Sequence, residues 1–291
     1  MVKLEGKAIV ITGAGRGIGA AYARAAAALG ARVVVNDRDA AAAEEVAAGI
    51  RATGAAAVSH PCDVAQWEPA RALVERCVQE FGAIDGLVNN AGVFRMERIH
   101  EMTEAACRMT LEVNVLGTMF PSAHAIGHMQ RAGRGAIVNV TSGAQMGLVA
   151  MGAYGASKGA VASLTYAWAA DLPAGTIRVN AVSPSGATQM GEHNVGYYRD
   201  RGQTIAPNPN TPEDNAPLVC YLLSDAAAGV HGQVVRIHGR KLALVSHPAV
   251  LEPVQEHPSA WTSDAIEEAF ARVFCAHLQP VGLRHVRQSP A

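Results

Sequence analysis

The sequence predicts an α/β protein built on one doubly wound parallel sheet with helices on both faces. Short apolar runs alternate with Ala-rich segments of helical character as far as residue 182. Such alternation is typical of βαβ units and a parallel sheet. The first apolar run also leads directly into a glycine-rich loop, TGAGRGIG, at 12–19. Right-handed crossovers between parallel strands then give the doubly wound arrangement.

Seven apolar runs are the predicted strands, and the Ala-rich segments between the early ones are predicted helices. The strand candidates are AIVIT (8–12), RVVVN (32–36), AVSH (57–60), GLVNN (86–90), AIVNV (136–140), IRVNAV (177–182) and QVVRI (233–237). We expect one domain over residues 1–245. Within it, the stretch 185–212 is rich in Gly, Pro and Asn. That composition is typical of a long loop, and we predict that this loop covers the substrate.

A further predicted helix, PEDNAPLVCYLLSD, lies between this loop and the last predicted strand. Residues 246–291 form a predicted C-terminal extension with one amphipathic helix, TSDAIEEAFARVFCAHL, at 262–278. Thr262 or Ser263 is the expected N-cap, because a side-chain hydroxyl can accept a hydrogen bond from the first helical turn.

Composition excludes several classes of protein. Apolar residues make up 49% of the chain, charged residues 17%, and the net charge is −1. Without a basic field, nucleic acid is not an expected partner. The five cysteines are scattered without a CxxC pair, which indicates reduced thiols and a cytoplasmic protein. No apolar segment is long enough to predict a signal peptide or a membrane span.

The glycine-rich loop predicts a dinucleotide site. Gly13, Gly17 and Gly19 allow a tight turn and a close approach of the backbone to a pyrophosphate. The helix that follows offers free N–H groups and the positive end of its dipole to the phosphates. A glycine-rich turn alone is weak evidence, but this one follows a strand and opens a helix, as the motif requires.

Asp37 and Arg38 bear on the choice of nucleotide. Asp37 ends the second predicted strand, where a carboxylate can accept hydrogen bonds from the adenosine ribose and would repel a 2′-phosphate. We therefore expect NAD rather than NADP. Arg38 could pair with a 2′-phosphate, and its alternative role is that of a solvated loop residue.

Two further motifs, CDV (62–64) and NNAG (89–92), end the third and fourth predicted strands at the carboxyl edge of the sheet.

A tyrosine and a lysine stand four residues apart in YGASK, at 154–158. Positions i and i+4 share one face of a helix, so Tyr154 and Lys158 lie side by side. A surface pair is one interpretation. A proton-transfer device is the other, in which Lys158 lowers the pKa of the Tyr154 phenol and Ser142, at a strand end, holds the substrate oxygen. The side chain of Asn114 would help to hold a water near Lys158.

Together these motifs resemble the short-chain dehydrogenase/reductase family. The resemblance covers the chain to about residue 240 and depends on TGAGRGIG, Asp63, NNAG, Asn114 in LEVNVLGT, Ser142 in IVNVTSG, YGASK and RVNAVSP. It implies a single Rossmann-like domain with about seven parallel strands. It also implies hydride transfer between a nicotinamide and a carbonyl or alcohol on a small molecule, and a homodimer or homotetramer.

Carried over to this sequence, the family pattern predicts three sets of residues. The catalytic set is Asn114, Ser142, Tyr154 and Lys158. The cofactor set is Gly13, Arg16, Gly17, Ile18, Gly19, Asp37, Asp63, Val64, Asn90, Ala91, Gly92, Tyr154, Lys158, Pro184 and Thr188. The substrate set is Ser142, Gln145, Met151, Tyr154 and Met190. Thr188 stands four residues after Pro184, whereas the common family pattern places a Thr five residues after that proline.

Within the family, AYARAAAALGARVVVND, SPSGATQM and PEDNAPLVCYLL are similar to the dehydrogenase unit of peroxisomal-type multifunctional enzymes. That branch acts on (3R)-hydroxyacyl-CoA and some 17β-hydroxysteroids, so we expect a bulky apolar secondary alcohol or ketone. A reductase of a small cyclic or aromatic ketone is the alternative. A catalytically silent dinucleotide sensor and a scaffold that binds through its tail are two further hypotheses.

Four other side chains allow two interpretations each. His124 and His128 are four residues apart, as zinc ligands on a helix can be, but no third ligand accompanies them. We expect no metal and interpret them as hydrogen-bonded or subunit-interface histidines. Tyr197 and Tyr198, in the long loop, either line the substrate pocket or are exposed.

Overall fold

The computed structural model describes residues 2–172, 175–186, 195–204, 206, 208–258 and 260–285. The chain divides into two compact units, Met1–Val245 and Ser246–Ala291. Thr188 and Met190, predicted as cofactor and substrate residues, lie outside the described part. In the loop 185–212, residues 195–199 are helical, whereas the sequence predicted only irregular structure there.

The first unit contains one sheet of eight strands, in the order β3-β2-β1-β4-β5-β6-β7-β8. The strands are β1 (Ala8–Ile11), β2 (Arg32–Val35), β3 (Ala57–Ser59), β4 (Gly86–Asn89), β5 (Gly135–Val140), β6 (Ile177–Ser183), β7 (Val234–His238) and β8 (Lys241–Val245). Pairing is parallel throughout β1 to β7. The predicted doubly wound α/β fold is therefore confirmed.

The sheet has one strand more than the seven runs that the sequence marked as strands. The sequence predicted about seven, and the eighth, β8, pairs antiparallel with β7 through a turn in which His238 lies opposite Lys241. Gly239 permits this tight turn, because its φ of +56° is rarely adopted by other residues. Leu242 and Leu244 of β8 are exposed, so the strand lacks the alternation of buried and polar residues that predicts a strand in sequence.

Helices cover both faces of the sheet. Besides the helical residues 195–199, the described part of the first unit contains α1 (Gly17–Ala28), α2 (Ala40–Ala52), α3 (Trp67–Phe81), α4 (Glu104–Leu111), α5 (Gly117–Ala132), α6 (Gly152–Asp171) and α7 (Ala216–Leu223). The second unit contains α8 (Ser263–Arg272). Side chains of α1, α2 and α7 share one apolar core, and those of α3 and α5 share the other.

Alternation along β1 shows why both faces need helices. Ile9 and Ile11 belong to the first core, whereas Ala8 and Val10 belong to the second, and all four are fully buried. Successive residues of a strand point to opposite faces, so a strand of apolar residues alone requires cover on both sides. Because β1 to β7 are parallel, their carboxyl ends lie at one edge of the sheet. The predicted site residues lie at this edge.

The second unit contains α8, for which Thr262 is the N-cap and accepts a hydrogen bond from the Ala265 N–H at 3.2 Å. The helix ends at Arg272, earlier than predicted, and a 3-10 turn follows at Phe274–His277. None of the residues of α8 is buried. Across the described residues of both units, no helix has the length and apolarity that crossing a membrane requires.

Candidate active site

The glycine-rich loop joins β1 to the start of α1. Arg16, at the N-cap position of α1, is extended and makes no side-chain cap, and the first turn contains no acidic residue. The first N–H groups of α1 therefore have no side-chain acceptor from the loop itself and suit an anionic group such as a pyrophosphate. Ile18, in the first turn, packs against the apolar core.

Two glycines of this loop are required by close packing. A Cβ on Gly13 would lie 2.7 Å from Ala91 Cα, and one on Gly19 would lie 2.3 Å from the Gly13 carbonyl oxygen. Asn90 ties the end of β4 to the loop, since its Nδ2 donates to the Thr12 and Gly13 carbonyls, each at 2.9 Å. The N–H groups of Asn90 and Ala91 donate to Thr12 Oγ1. The predicted cofactor residues of β1 and β4 are thus brought together.

A network of charges lies at the end of β2. Asp37 Oδ2 accepts a hydrogen bond from the Gly15 N–H at 3.1 Å, and Oδ1 accepts one from the Asp39 N–H. Asp39 pairs with Arg16 and also caps α2 through the Ala42 N–H. Bonds from Ala42 and Arg16 hold the pKa of Asp39 below its ordinary value, although burial acts the other way. Asp39 was not predicted from the sequence, because its pairing with Arg16 joins two separate turns. Arg38 is exposed.

The end of β3 is next to this region. Asp63 Oδ1 accepts a hydrogen bond from the Ala65 N–H at 2.9 Å, which fixes the turn after the strand. Val64 is 4% exposed and belongs to the second core. Its Cγ2 would be 3.0 Å from a Cβ on Gly117, so the start of α5 packs closely on this turn.

Ser142 and Tyr154 meet across the turn that joins β5 to α6. Ser142 Oγ accepts a hydrogen bond from the Ala144 N–H at 3.2 Å and begins the 3-10 turn Gly143–Met146. Burial raises the pKa of the Tyr154 phenol, and a hydrogen bond with the Ser142 side chain acts in the opposite direction. The Tyr154 ring meets the edge of Phe94 at a centroid distance of 4.8 Å. Phe94 follows NNAG and was not predicted from sequence.

Lys158 lies under this pair. Its side chain is 4% exposed, and Nζ donates a hydrogen bond to the Val140 carbonyl at 2.8 Å. Nζ lies 5.8 Å from the centroid of the Tyr154 ring. Burial lowers the pKa of Lys158 to about 8. The predicted effect of Lys158 on the tyrosine is thus not the dominant one in the chain alone, because burial raises the pKa of Tyr154.

Asn114 lies in a π-helical turn, Glu112–Leu116, between α4 and α5. Its Oδ1 accepts from the Val93 N–H at 2.7 Å, and its Nδ2 donates to the Val93 carbonyl and to Ser157 Oγ. The side-chain amide therefore bonds to Val93 and Ser157, and its role in holding a water near Lys158 stays a prediction. Ser157 in turn donates to the Tyr154 carbonyl at 2.7 Å. Ser157 was not among the predicted site residues, although its position inside YGASK, three residues after Tyr154, could have indicated a role.

The remaining substrate candidates surround the 3-10 turn. Gln145 Oε1 is buried and has no hydrogen-bond partner in the described structure. Met151 pairs with Glu97 through an isolated parallel β-bridge of the main chain. Pro184 follows β6 and is partly buried. His124 contacts Trp67, through its ring and through a 3.2 Å approach to the Trp67 carbonyl.

A depression of about 450 Å³ lies next to Phe94. It is lined by Phe94, Arg95, Met96, Gly196, Tyr197, Arg199 and Asp200. The guanidinium of Arg201 stacks on the Tyr197 ring at 3.7 Å and pairs with Glu101. Residues 195–203 are thereby linked to the segment after β4. Tyr197 lines this depression, and its contact with a substrate stays a prediction.

Comparison with known proteins agrees with this geometry. The family model for short chain dehydrogenases matches residues 7–195. A cis-4-hydroxycyclohexanecarboxylate dehydrogenase of Sinomonas cyclohexanicum is 39% identical over 238 residues, covering 79% of this chain and 94% of that protein.

Two solved structures are also similar. A short chain dehydrogenase from Mycobacterium avium has a TM-score of 0.84 at 32% identity, covering 97% of this chain and 99% of that one. A gluconate 5-dehydrogenase from Burkholderia cenocepacia, in complex with NADP and tartrate, has a TM-score of 0.73 at 30% identity, covering 82% and 96%.

The chain belongs to the short-chain dehydrogenase family, a family of oxidoreductases that bind a nicotinamide dinucleotide.

Proposed function

We propose that the protein is an NAD-dependent oxidoreductase that interconverts a secondary alcohol and a ketone. The observation that carries this proposal is the hydroxyl pair of Ser142 and Tyr154 above the buried ammonium of Lys158. A catalytically silent sensor has no need to retain a buried cation beside a phenol, because burying the charge costs folding free energy.

Each residue of the pair has a task set by its contacts. Ser142 binds the substrate oxygen, and Tyr154 takes the proton from the alcohol or gives it to the ketone. Lys158 stabilises the phenolate that forms when Tyr154 gives up its proton. Asn114 and Ser157 hold the main chain of α6 and of the segment after β4 in register, which keeps Tyr154 and Phe94 in position. The nicotinamide, when bound, accepts or supplies the hydride.

NAD is the proposed nucleotide because the charges at the end of β2 oppose a 2′-phosphate. Asp37 stands where a carboxylate meets the ribose hydroxyls. Arg16, the basic side chain of the glycine-rich loop, is paired with Asp39 and is therefore partly neutralised. Among similar proteins, the gluconate 5-dehydrogenase binds NADP, so the proposal rests on the side chains of this chain and not on resemblance.

The proposed substrate has a bulky, mostly apolar body. Phe94, Met96 and Tyr197 offer aromatic and thioether surface in the depression beside Tyr154. The similarity of SPSGATQM and PEDNAPLVCYLL to the hydroxyacyl-CoA and hydroxysteroid branch favours a long thioester or a steroid-like ring.

A cyclic hydroxy acid is the second candidate. The relative that acts on cis-4-hydroxycyclohexanecarboxylate favours it, and Arg95 and Arg199 line the same depression. A guanidinium there can bind a carboxylate in a bidentate manner.

A substrate screen tests the proposal. Purified protein is incubated with NAD or NADP and with 3-hydroxyacyl-CoA thioesters, hydroxysteroids, cyclic hydroxy acids and polyols, and formation of the reduced cofactor is followed by absorbance. We expect turnover with NAD and at least one secondary alcohol of the first three groups. A silent sensor would bind NAD tightly but would neither oxidise any of the alcohols nor reduce any of the matching ketones. Activity confined to polyols would contradict the proposed substrate class.

A further inference from the structure

An arginine of β7 lies against the turn that carries Ser142. Arg236 stands opposite Ser183 of β6 in the parallel register, near the carboxyl ends of both strands. Its Nη1 donates a hydrogen bond to Ser183 Oγ at 3.1 Å. A Cβ on Gly143 would lie only 2.7 Å from the same Nη1. The guanidinium therefore extends over the end of β6 and reaches the main chain of the residue that follows Ser142.

The charge of Arg236 is not compensated nearby. The side chain is partly buried, and burial lowers the pKa of its guanidinium. In the part of the chain that the structure describes, no carboxylate lies within ion-pair distance of it, and its side-chain hydrogen bond goes to a neutral hydroxyl. A half-buried cation without a counter-ion is unfavourable for folding, so packing alone gives no reason to place one here.

Arg178, on the neighbouring strand β6, shows what a structural arginine does in this sheet. Its two Nη atoms donate to the Leu222 and Ser224 carbonyls at 2.7 and 2.9 Å, and it thereby fixes the end of α7. Arg236 caps no helix in this way. Its neighbours are Ser183, the last residue of β6, and Gly143, in the turn after β5 that begins at Ser142.

Gly143 and Arg236 fit each other. Gly143 has no positive φ, so its backbone does not require glycine. A larger residue would place its Cβ 2.7 Å from Nη1, so the end of the Arg236 side chain would have to move away from this turn. The absence of a side chain at 143 lets the cation approach the main chain beside Ser142.

We propose that Arg236 is a positioning residue for the alcohol–ketone reaction, one that fixes the Ser142–Gly143 turn and adds a second positive charge beside the Ser142–Tyr154 hydroxyl pair. The inference rests on the proposed function. Tyr154 has Lys158 on its own helix, and the Arg236 guanidinium reaches the residue after Ser142, whose side chain is hydrogen-bonded to Tyr154. On the segment after β4, Arg95 is paired with the buried carboxylate of Glu97. Both Lys158 and Arg236 favour the phenolate form of Tyr154.

The contact is tested first without any turnover. Gly143→Ala places a methyl group against Nη1 and displaces the guanidinium, so it should lower the Tm of the wild-type protein by about 3 °C. In the Arg236→Met background the same substitution should lower Tm by less than half of that amount, since the clash is gone. Equal losses in the two backgrounds would overturn the contact on which the proposal stands, whatever the enzyme does.

Kinetics then test the positioning role, with the alcohol that wild-type protein oxidises best. Arg236→Met should lower kcat by roughly 10-fold and leave the Kd for NAD within about twofold. It should move the acid limb of the kcat/KM profile to higher pH by roughly half a unit to one unit, because a cation near Tyr154 is lost. Arg236→Lys, which keeps the charge, should return the limb to its wild-type position. Arg240→Met, in the exposed turn after β7, is the matched control and should change nothing.

Two results would overturn the role. The first is a kcat for Arg236→Met within threefold of wild type. The second is a lower kcat with an unmoved acid limb, which shows a purely structural contact. A wild-type protein that oxidises no alcohol refutes the proposed function and, with it, the kinetic role; the melting cycle still decides separately whether the contact with Gly143 exists.

Discussion

The two halves of the carboxyl edge of the sheet handle charge in different ways. At the nucleotide half, Arg16 and Asp39 are about half exposed, 53% and 45% by side chain, and they pair with each other in water. At the catalytic half, Lys158 is 4% exposed and Asn114 is fully buried. Exposed pairs contribute little to stability and can change at low cost. A buried ammonium is expensive, so the protein retains it only where chemistry requires a cation.

Lys158→Met gives the largest expected effect and changes activity and stability in opposite directions. Turnover should fall by about 10³-fold, because the cation that favours the Tyr154 phenolate is gone. At pH 7 the variant should nevertheless unfold with a free energy higher by up to roughly 2 kcal/mol. The lysine costs roughly 3 kcal/mol through its lowered pKa, and the lost bond to the Val140 carbonyl offsets about 1 kcal/mol of that gain.

The pH dependence of this stability difference identifies its cause. The pKa of Lys158 is about 8 in the folded state, against an ordinary value of 10.5. Between these values the unfolded chain binds the proton and the folded chain does not, so the wild-type free energy of unfolding rises with pH across this window. The advantage of Lys158→Met should be constant below pH 8 and shrink toward pH 10.5. Urea titrations of both proteins at several pH values measure it, and a difference independent of pH would contradict a buried ammonium.

Asp37→Ala should have a smaller effect, which concerns the choice between NAD and NADP. Removing this carboxylate takes away the like-charge repulsion against a 2′-phosphate, worth on the order of 1–3 kcal/mol. The ratio of the Kd values for NADP and NAD, measured by calorimetry, should therefore fall by roughly 10- to 100-fold. An unchanged ratio would remove Asp37 from the account of specificity.

Asp39→Ser should have the smallest effect. Serine can still cap α2, so the substitution isolates the pairing with Arg16 from the capping of the helix. Freed from Asp39, Arg16 can turn toward a 2′-phosphate, and the affinity for 2′,5′-ADP should rise severalfold while that for ADP stays the same. Adding Arg16→Ala should cancel the gain; a gain that persists without Arg16 would show that Asp39 acts directly on the nucleotide.

The same comparison explains which features the sequence could predict. Strands β1 to β7 and the glycine-rich loop were predictable, because apolar runs and glycines report local conformation. Strand β8 was not, since its leucines face solvent. Nor were the partners of Asn114, because Val93 and Ser157 lie 21 and 43 residues away in sequence and meet it only through the packed fold. The pairing of Arg16 with Asp39 likewise depends on how two turns face each other.

The positions of the site residues were therefore easier to predict than the pKa values of their side chains. The spacing within YGASK predicted that Tyr154 and Lys158 share one face of a helix, and both residues lie in α6. The degree of burial, which raises the pKa of one and lowers that of the other, follows from Phe94, Val140 and the surrounding core. No local pattern contains that information.

Tyr154→Phe tests the central claim most directly, namely that the buried half carries the proton step while the exposed half binds the nucleotide. The Kd for NAD, from calorimetry, and kcat, from formation of the reduced cofactor, are measured on the same preparation. The account predicts a loss of turnover of about 10²–10⁴-fold with the Kd for NAD within about twofold of wild type. Turnover within a factor of about three of wild type would contradict it.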